Sequence, residues 1–268
     1  MELMTDYGKV DILWLDGGWV AKESKKDISN WYIKKAVDTK SGFLKSIIVN
    51  QDILMDELVK KAREKQPGLI VVDRAVPGKN QNYLTPENRV PEEALPFPWE
   101  SCIIAGGGWS WVPNATYMSG RKAIHLLVDI VAKGGNLLLN VAPGPDGKWH
   151  DGAYELFEEI GNWMKVASEA IYETRAIAPY KEGNICLTKK DNAIYAIYLA
   201  EEDELVMPSS IRMSSITPSA NAEITLLGDN QELSWEAVGN GFVVYIPEEL
   251  QKEPPSNYAW VIKINNIK

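Results

Sequence analysis

Through residue 167 short apolar runs alternate with longer amphipathic stretches, and beyond residue 171 the long amphipathic stretches stop. That change of period constrains the chain more than any other feature. Val10–Asp16 (VDILWLD), Leu69–Asp73 (LIVVD), Cys102–Ala105 and Asn136–Val141 (NLLLNV) are nearly continuous apolar runs, the pattern of parallel strands buried on both faces. Ile53–Gln66, Ser119–Lys133 and Tyr154–Ala167 instead space their apolar residues three and four apart, as a helix with one buried face requires. Asp52 and Ser119 stand where N-caps belong, and Pro67-Gly68 and Gly134-Gly135 mark the stops. Met1–Gly8 reads as the end of a further helix. The alternation predicts an α/β architecture with parallel strands over residues 1–172.

Residues 173–268 read differently. Ala193–Leu199, Glu223–Leu227, Phe242–Ile246 and Ala259–Ile264 are short runs of alternating character between turn signals, which predicts an all-β domain of the sandwich type. A length of 268 residues gives two such domains enough chain for a core each.

Charge narrows the function. The formal net charge of -9 offers no basic stripe, so it argues against nucleic acid and anionic lipid as partners. No apolar run reaches the roughly 18 residues that a membrane span needs, and residues 1–20 lack the basic start and apolar stretch of a secretory leader. Ten Trp and eleven Tyr stand against four Phe; rings with a polar handle suit the stacking and hydrogen bonding of sugars. Cys102 and Cys186 have neither disulfide-framework nor zinc-type spacing.

Asp16 ends the first apolar run, and in barrel enzymes the C-terminal ends of strands carry the catalytic groups. Hydrolysis of a glycosidic bond needs two carboxyl groups, so Asp16 requires a partner. Asp73, Glu87, Glu92, Glu93 and Glu100 lie on the later loops, and chemistry alone does not choose among them. His125 in a helix, His150 in a turn, Asp129 and the turn residue Asp146 lack the company of a catalytic or metal site and read as structural.

The segments LWLDGGW (13–19), VVDR (71–74), TPE (85–87), PWESC (98–102) and KGGNLLLNVAPGPDG (133–147) resemble, jointly and in order, the motifs of glycoside hydrolase family 29. The resemblance implies the C-terminal portion of a (β/α)8 TIM-type barrel followed by a β-sandwich. It also implies a retaining α-L-fucosidase acting on a fucosylated oligosaccharide or glycoconjugate, with no metal or organic cofactor. By the same resemblance Asp16 matches the nucleophile, Glu87 the first choice for acid/base and Glu100 the runner-up. Arg74 matches an arginine that bonds the fucose ring, and Trp109, with Trp111 beside it, an aromatic position under the C5-methyl face. Family members carry about half a barrel before the nucleophile strand, so the chain is expected to be a fragment. The rival readings are a non-catalytic carbohydrate-binding or scaffold protein and a related hydrolase for another sugar.

Overall fold

The computed structural model describes residues 1–16, 54–74, 80–229 and 231–265, which form two compact units, Met1–Ile103 and Ile104–Lys268.

In the first unit Ile12–Leu13 (β1) pairs in parallel with Ile70–Val71 (β2). Parallel bridges continue the strip, from Val72 to Tyr83, from Leu84 to Trp99 and from Glu87 to Cys102; the last of these reaches Glu100–Ile104 (β3). Tyr83–Glu87, which lies in a stretch the sequence pattern leaves irregular, thus runs as a strand-like rung between β2 and β3. Pro86 has no N–H to give to a ladder, and its carbonyl accepts from Cys102 N at 3.0 Å.

The expectation that β1 and β2 are buried on both faces is not met. Leu13 and Val71 pack with Met4, Leu69, and Val59 and Ala62 of helix α1 (Met55–Lys65), whereas Ile12 and Ile70 are exposed. Successive strand residues face opposite sides, so one face takes the helix and the described residues leave the other open. Asp56 and Glu57 open α1 while Arg63 and Lys65 close it, each complementing the helix dipole. Asp52 and Ile53, expected to start this helix, lie outside the described residues; Leu54 holds the N-cap position with φ 56°. Gln66 then fastens the N-terminal segment, since its Oε1 accepts from Val10 N at 2.7 Å and its Nε2 donates to the carbonyls of Met4 and Gly8. Of the expected N-terminal helix, Glu2–Met4 forms a single 3₁₀ turn.

In the second unit helix α2 (Gly120–Ala132) starts at Ser119, whose hydroxyl accepts from Lys122 N. Strand β4 (Asn136–Asn140) follows, with Leu138 exposed rather than buried, and then helix α3 (Asp151–Ala167), three residues longer at its start than the periodicity predicts. From Arg175 the regular elements are nearly all strands: β5 (Arg175–Glu182), β6 (Ile185–Lys190), β7 (Ala193–Leu199), β8 (Ser210–Met213), β9 (Ile224–Leu226), β10 (Trp235–Val238), β11 (Gly241–Tyr245) and β12 (Ala259–Asn265). A short helix, α4 (Glu248–Lys252), precedes the last strand. One antiparallel sheet has the order β5-β6-β7-β12-β9 and a second the order β10-β11-β8.

The period-2 pattern sorts the five-stranded sheet into two cores. Leu187, Ile194, Ala196, Trp260 and Ile262 meet Ile211, Met213, Phe242 and Val244 of the second sheet. Cys186, Tyr195, Ile197 and Val261 on the opposite face meet Ile124 and Val128 of α2 and Trp163 and Ala167 of α3. Strand β7 therefore reads as an unbroken apolar run because both of its faces are covered. Full burial of each Val, Leu, Ile, Met or Phe side chain among them contributes about 1.5–3 kcal/mol.

Candidate active site

The site in the first unit is built on the far ends of the parallel strip. Asp16 follows β1 and keeps 63% of its side chain exposed; Arg74 follows β2 with 3% exposed. Glu87 closes the Tyr83–Glu87 rung and is 29% exposed. Residues two apart share a face, which sets Trp14 behind Asp16, and Thr85 and Tyr83 behind Glu87.

Arg74 is the hub. Its Nη1 donates to Glu87 Oε2 at 2.8 Å and to Asp16 Oδ1 at 3.3 Å. Its Nε donates to Thr85 Oγ1 at 2.9 Å, while Thr85 donates through both Oγ1 (2.5 Å) and N (2.9 Å) to Asp73 Oδ1. Asp73, Arg74 and Thr85 are buried, so these charge-assisted bonds act where solvent screens them little. The Trp14 ring lies under the guanidinium, 4.6 Å from Arg74 Cζ. One buried planar cation is thus locked by its stem side and holds two carboxylates on its outward nitrogen.

Glu100 stands one layer away. Its Oε1 accepts from Trp14 Nε1 at 3.4 Å. Burial pushes its carboxyl above the ordinary range, against the opposing pull of Trp14 and Arg74. Burial, with Glu100 and Asp73 nearby, likewise raises the Tyr83 phenol, whose hydroxyl has no hydrogen-bond partner among the described residues.

The structure brings Asp16, Arg74, Glu87 and Glu100 together. Trp109 and Trp111 belong to the second unit: Trp109 is exposed, and Trp111 stacks on His150 with centroids 5.4 Å apart. His125 Nε2 lies 2.9 Å from Tyr258 O, Asp129 pairs with Lys133, and Asp146 accepts from Lys148 N, so each has a local structural task. Sequence reasoning does not single out Trp14 or Thr85. Their signal is position alone, each two residues before a candidate carboxylate. Among the described residues no group of three His, Cys, Asp or Glu side chains is placed to hold a metal ion, and no helix is long and apolar enough to cross a membrane.

Two carboxylates gathered by a buried arginine at the ends of parallel strands form an arrangement that glycosidic hydrolysis can use. Comparison with known proteins gives the particular family. Residues 1–169 match the family model described as α-L-fucosidase and residues 180–265 the one described as α-L-fucosidase C-terminal domain. The chain belongs to the α-L-fucosidase family. It is 31% identical to an α-L-fucosidase of Branchiostoma floridae over 177 residues, covering 63% of this chain and 38% of that protein. With the human tissue α-L-fucosidase it shares 25% identity over 276 residues, 100% of this chain and 54% of that protein. Among solved structures, α-L-fucosidase isoenzyme 1 of Paenibacillus thiaminolyticus superposes with a TM-score of 0.74 at 24% identity, covering 100% of this chain and 60% of that one. A family 29 enzyme of Bacteroides thetaiotaomicron, trapped as a covalent intermediate from 2-fluoro-fucosyl fluoride, gives 0.69 at 18% identity, covering 98% and 59%. The chain spans about half the length of the curated relatives it matches.

Proposed function

We propose that the protein is a retaining exo-α-L-fucosidase that releases terminal fucose from glycans by double displacement, with Asp16 as nucleophile and Glu87 as acid and then base. The observation that carries this is the sharing of one arginine nitrogen by the two carboxylates. With bonds of 3.3 and 2.8 Å to Arg74 Nη1, the oxygens of Asp16 and Glu87 are separated by at most the sum, about 6.1 Å. That closeness is in keeping with a retaining pair, whose carboxyl groups stand about 5–5.5 Å apart.

In the first step Asp16 attacks the anomeric carbon while Glu87 gives its proton to the departing glycosidic oxygen, leaving a covalent fucosyl ester on Asp16. In the second, Glu87 takes a proton from water, the water oxygen attacks the same carbon, and the Asp16 carboxylate leaves. Arg74 orients both groups and, by the family resemblance, bonds the sugar, while by that same resemblance Trp109 supplies an apolar contact. Neither step draws on a metal or an organic cofactor. The covalent intermediate trapped in the Bacteroides relative supports the double displacement. The parallel strip in the first unit supports reading residues 1–172 as the C-terminal portion of a (β/α)8 barrel, with 173–268 as the β-sandwich.

A second reading of the acid is favoured by one observation: burial raises the Glu100 carboxyl, as a resting proton donor requires. Glu87 remains the first choice because it faces Asp16 across Arg74. The test is hydrolysis of 4-nitrophenyl α-L-fucoside by this chain and by a form lengthened to the relatives' span, with NMR detection of the first anomer released. Release of the α-anomer, loss of turnover in Asp16→Asn, and azide rescue of Glu87→Ala but not Glu100→Ala would support the assignment. A β-anomer as first product would refute the mechanism, and rescue of the Glu100 variant alone would move the acid there.

A further inference from the structure

At the start of α3 the second unit carries aromatic side chains that the catalytic reading does not use. Trp149 keeps 37% of its surface exposed and Tyr154 50%. Their ring centroids lie 5.5 Å apart with the planes tilted by 42°, and Phe157 supports Trp149 at 5.7 Å. The next residue, His150, is fixed by stacking on Trp111 and by its Nε2, 3.0 Å from Val112 O. Trp149 therefore projects from an ordered backbone. Within the described residues neither its indole N–H nor the Tyr154 hydroxyl is hydrogen-bonded to protein. The exposed carboxylates of Asp151, Glu155 and Glu158 lie along the same first turns of the helix, with the exposed Lys148 just before them.

We propose that Trp149 and Tyr154 form a platform for the apolar face of a neutral pyranose ring. Axial C–H groups of such a ring stack on an indole or phenol face, and its hydroxyls hydrogen-bond to the unused N–H, the unused O–H and the carboxylates. Three acidic side chains repel phosphate- and sulfate-bearing ligands. A cationic ligand is bound best where rings enclose it and strip its water, whereas this pair is partly open to solvent. The platform goes beyond the fucosidase reading, because it needs no catalytic carboxylate and takes a sugar without fucose.

Lactose, a neutral disaccharide that lacks fucose, is the probe. Saturation-transfer NMR on the full chain should show saturation of one ring's C–H face, and the Trp149 indole resonance, assigned through Trp149→Phe, should shift with a millimolar midpoint. Trp149→Ala and Tyr154→Ala should each weaken binding at least about tenfold, with circular dichroism confirming that each is folded. Asp16→Asn should bind lactose as the parent does, which separates this site from catalysis. Raising sodium chloride to about 1 M, where charge interactions are screened within a few ångströms, should leave the midpoint unchanged. Absence of lactose saturation, or equal binding by both alanine variants, would overturn the proposal. So would salt-sensitive binding of choline without lactose binding, since the pair would then be a cation site.

Discussion

Thr85→Val is the sharpest test of how the site is held. The side chain is buried, and valine keeps its shape while deleting the hydroxyl. Two bonds go with it: the donation to Asp73 Oδ1 at 2.5 Å and the acceptance from Arg74 Nε at 2.9 Å. Each links a neutral group to a charged one, a class worth about 1.5–3 kcal/mol. The two are coupled and Asp73 keeps the Thr85 N–H, so the expected loss is about 3 kcal/mol rather than the full sum. Urea unfolding followed through the first unit should show that loss as a lower midpoint with unchanged slope. Hydrogen exchange of the Thr85 amide, which bonds Asp73 directly, should accelerate in parallel. A double-mutant cycle with Asp73→Asn should recover a coupling above about 1 kcal/mol. A Thr85→Val protein within about 0.5 kcal/mol of the parent, the scatter of surface substitutions, would mean that the network is ornamental and that Arg74 is placed by other contacts.

Other outcomes follow from the same structure. Because burial raises the Glu100 carboxyl above 4.5, the folded state binds its proton more tightly than the unfolded chain, and the stability this contributes is present below 4.5 and lost as pH rises through the folded value. Glu100→Gln keeps an oxygen for Trp14, so its stability relative to the parent should grow over that window; a pH-independent difference would contradict the assignment. Gly161 sits inside α3 with nothing within 4 Å of the point an added Cβ would occupy, so Gly161→Ala should stabilise by about 0.5–1 kcal/mol in thermal unfolding. Gly241 begins β11, where an added Cβ would lie 1.9 Å from Met213 O on the neighbouring strand. Gly241→Ala should therefore cost at least about 2 kcal/mol, and a neutral result would place the β11–β8 register in error.

Much of the fold is legible in the sequence because burial imposes period. Ser119 capping α2, the spans of α2 and β7, and Asp16, Glu87 and Glu100 meeting in one unit are all foreshadowed by local pattern or motif. What escapes is set by tertiary neighbours. The Tyr83–Glu87 rung hides behind Pro86 and a polar flank, since its pairing partners β2 and β3 decide its conformation. The exposure of Ile12, Ile70 and Leu138 is invisible in runs that look uniformly apolar. Strands β5, β6, β8 and β10 carry lysines, a proline or other polar residues that blur their alternation, and only the sheet order gives them partners. Motif resemblance points to Arg74 as a residue that would bond sugar, but no pattern shows that its other face is spent on Thr85 and Trp14.

That division of labour within one side chain makes Arg74→Lys the informative substitution. The guanidinium uses Nε toward Thr85 and Nη1 toward both carboxylates, at directions fixed by one plane. A lysine carries the same charge on a single nitrogen at the end of a flexible stem and cannot serve Thr85 and the carboxylates together. If charge alone mattered, Arg74→Lys would retain most of the activity of the catalytically competent enzyme. If the plane is what spaces Asp16 and Glu87 for attack and protonation, displacement by about 1 Å should lower kcat about 10²-fold. Substrate affinity should fall less, because positioning acts on the reacting groups. The Thr85→Val variant should reproduce part of that kcat loss without touching any charge, which a purely electrostatic role for Arg74 does not allow. Near-parental kcat in both variants would show that the carboxylates are spaced by their own strands and that the arginine only neutralises them.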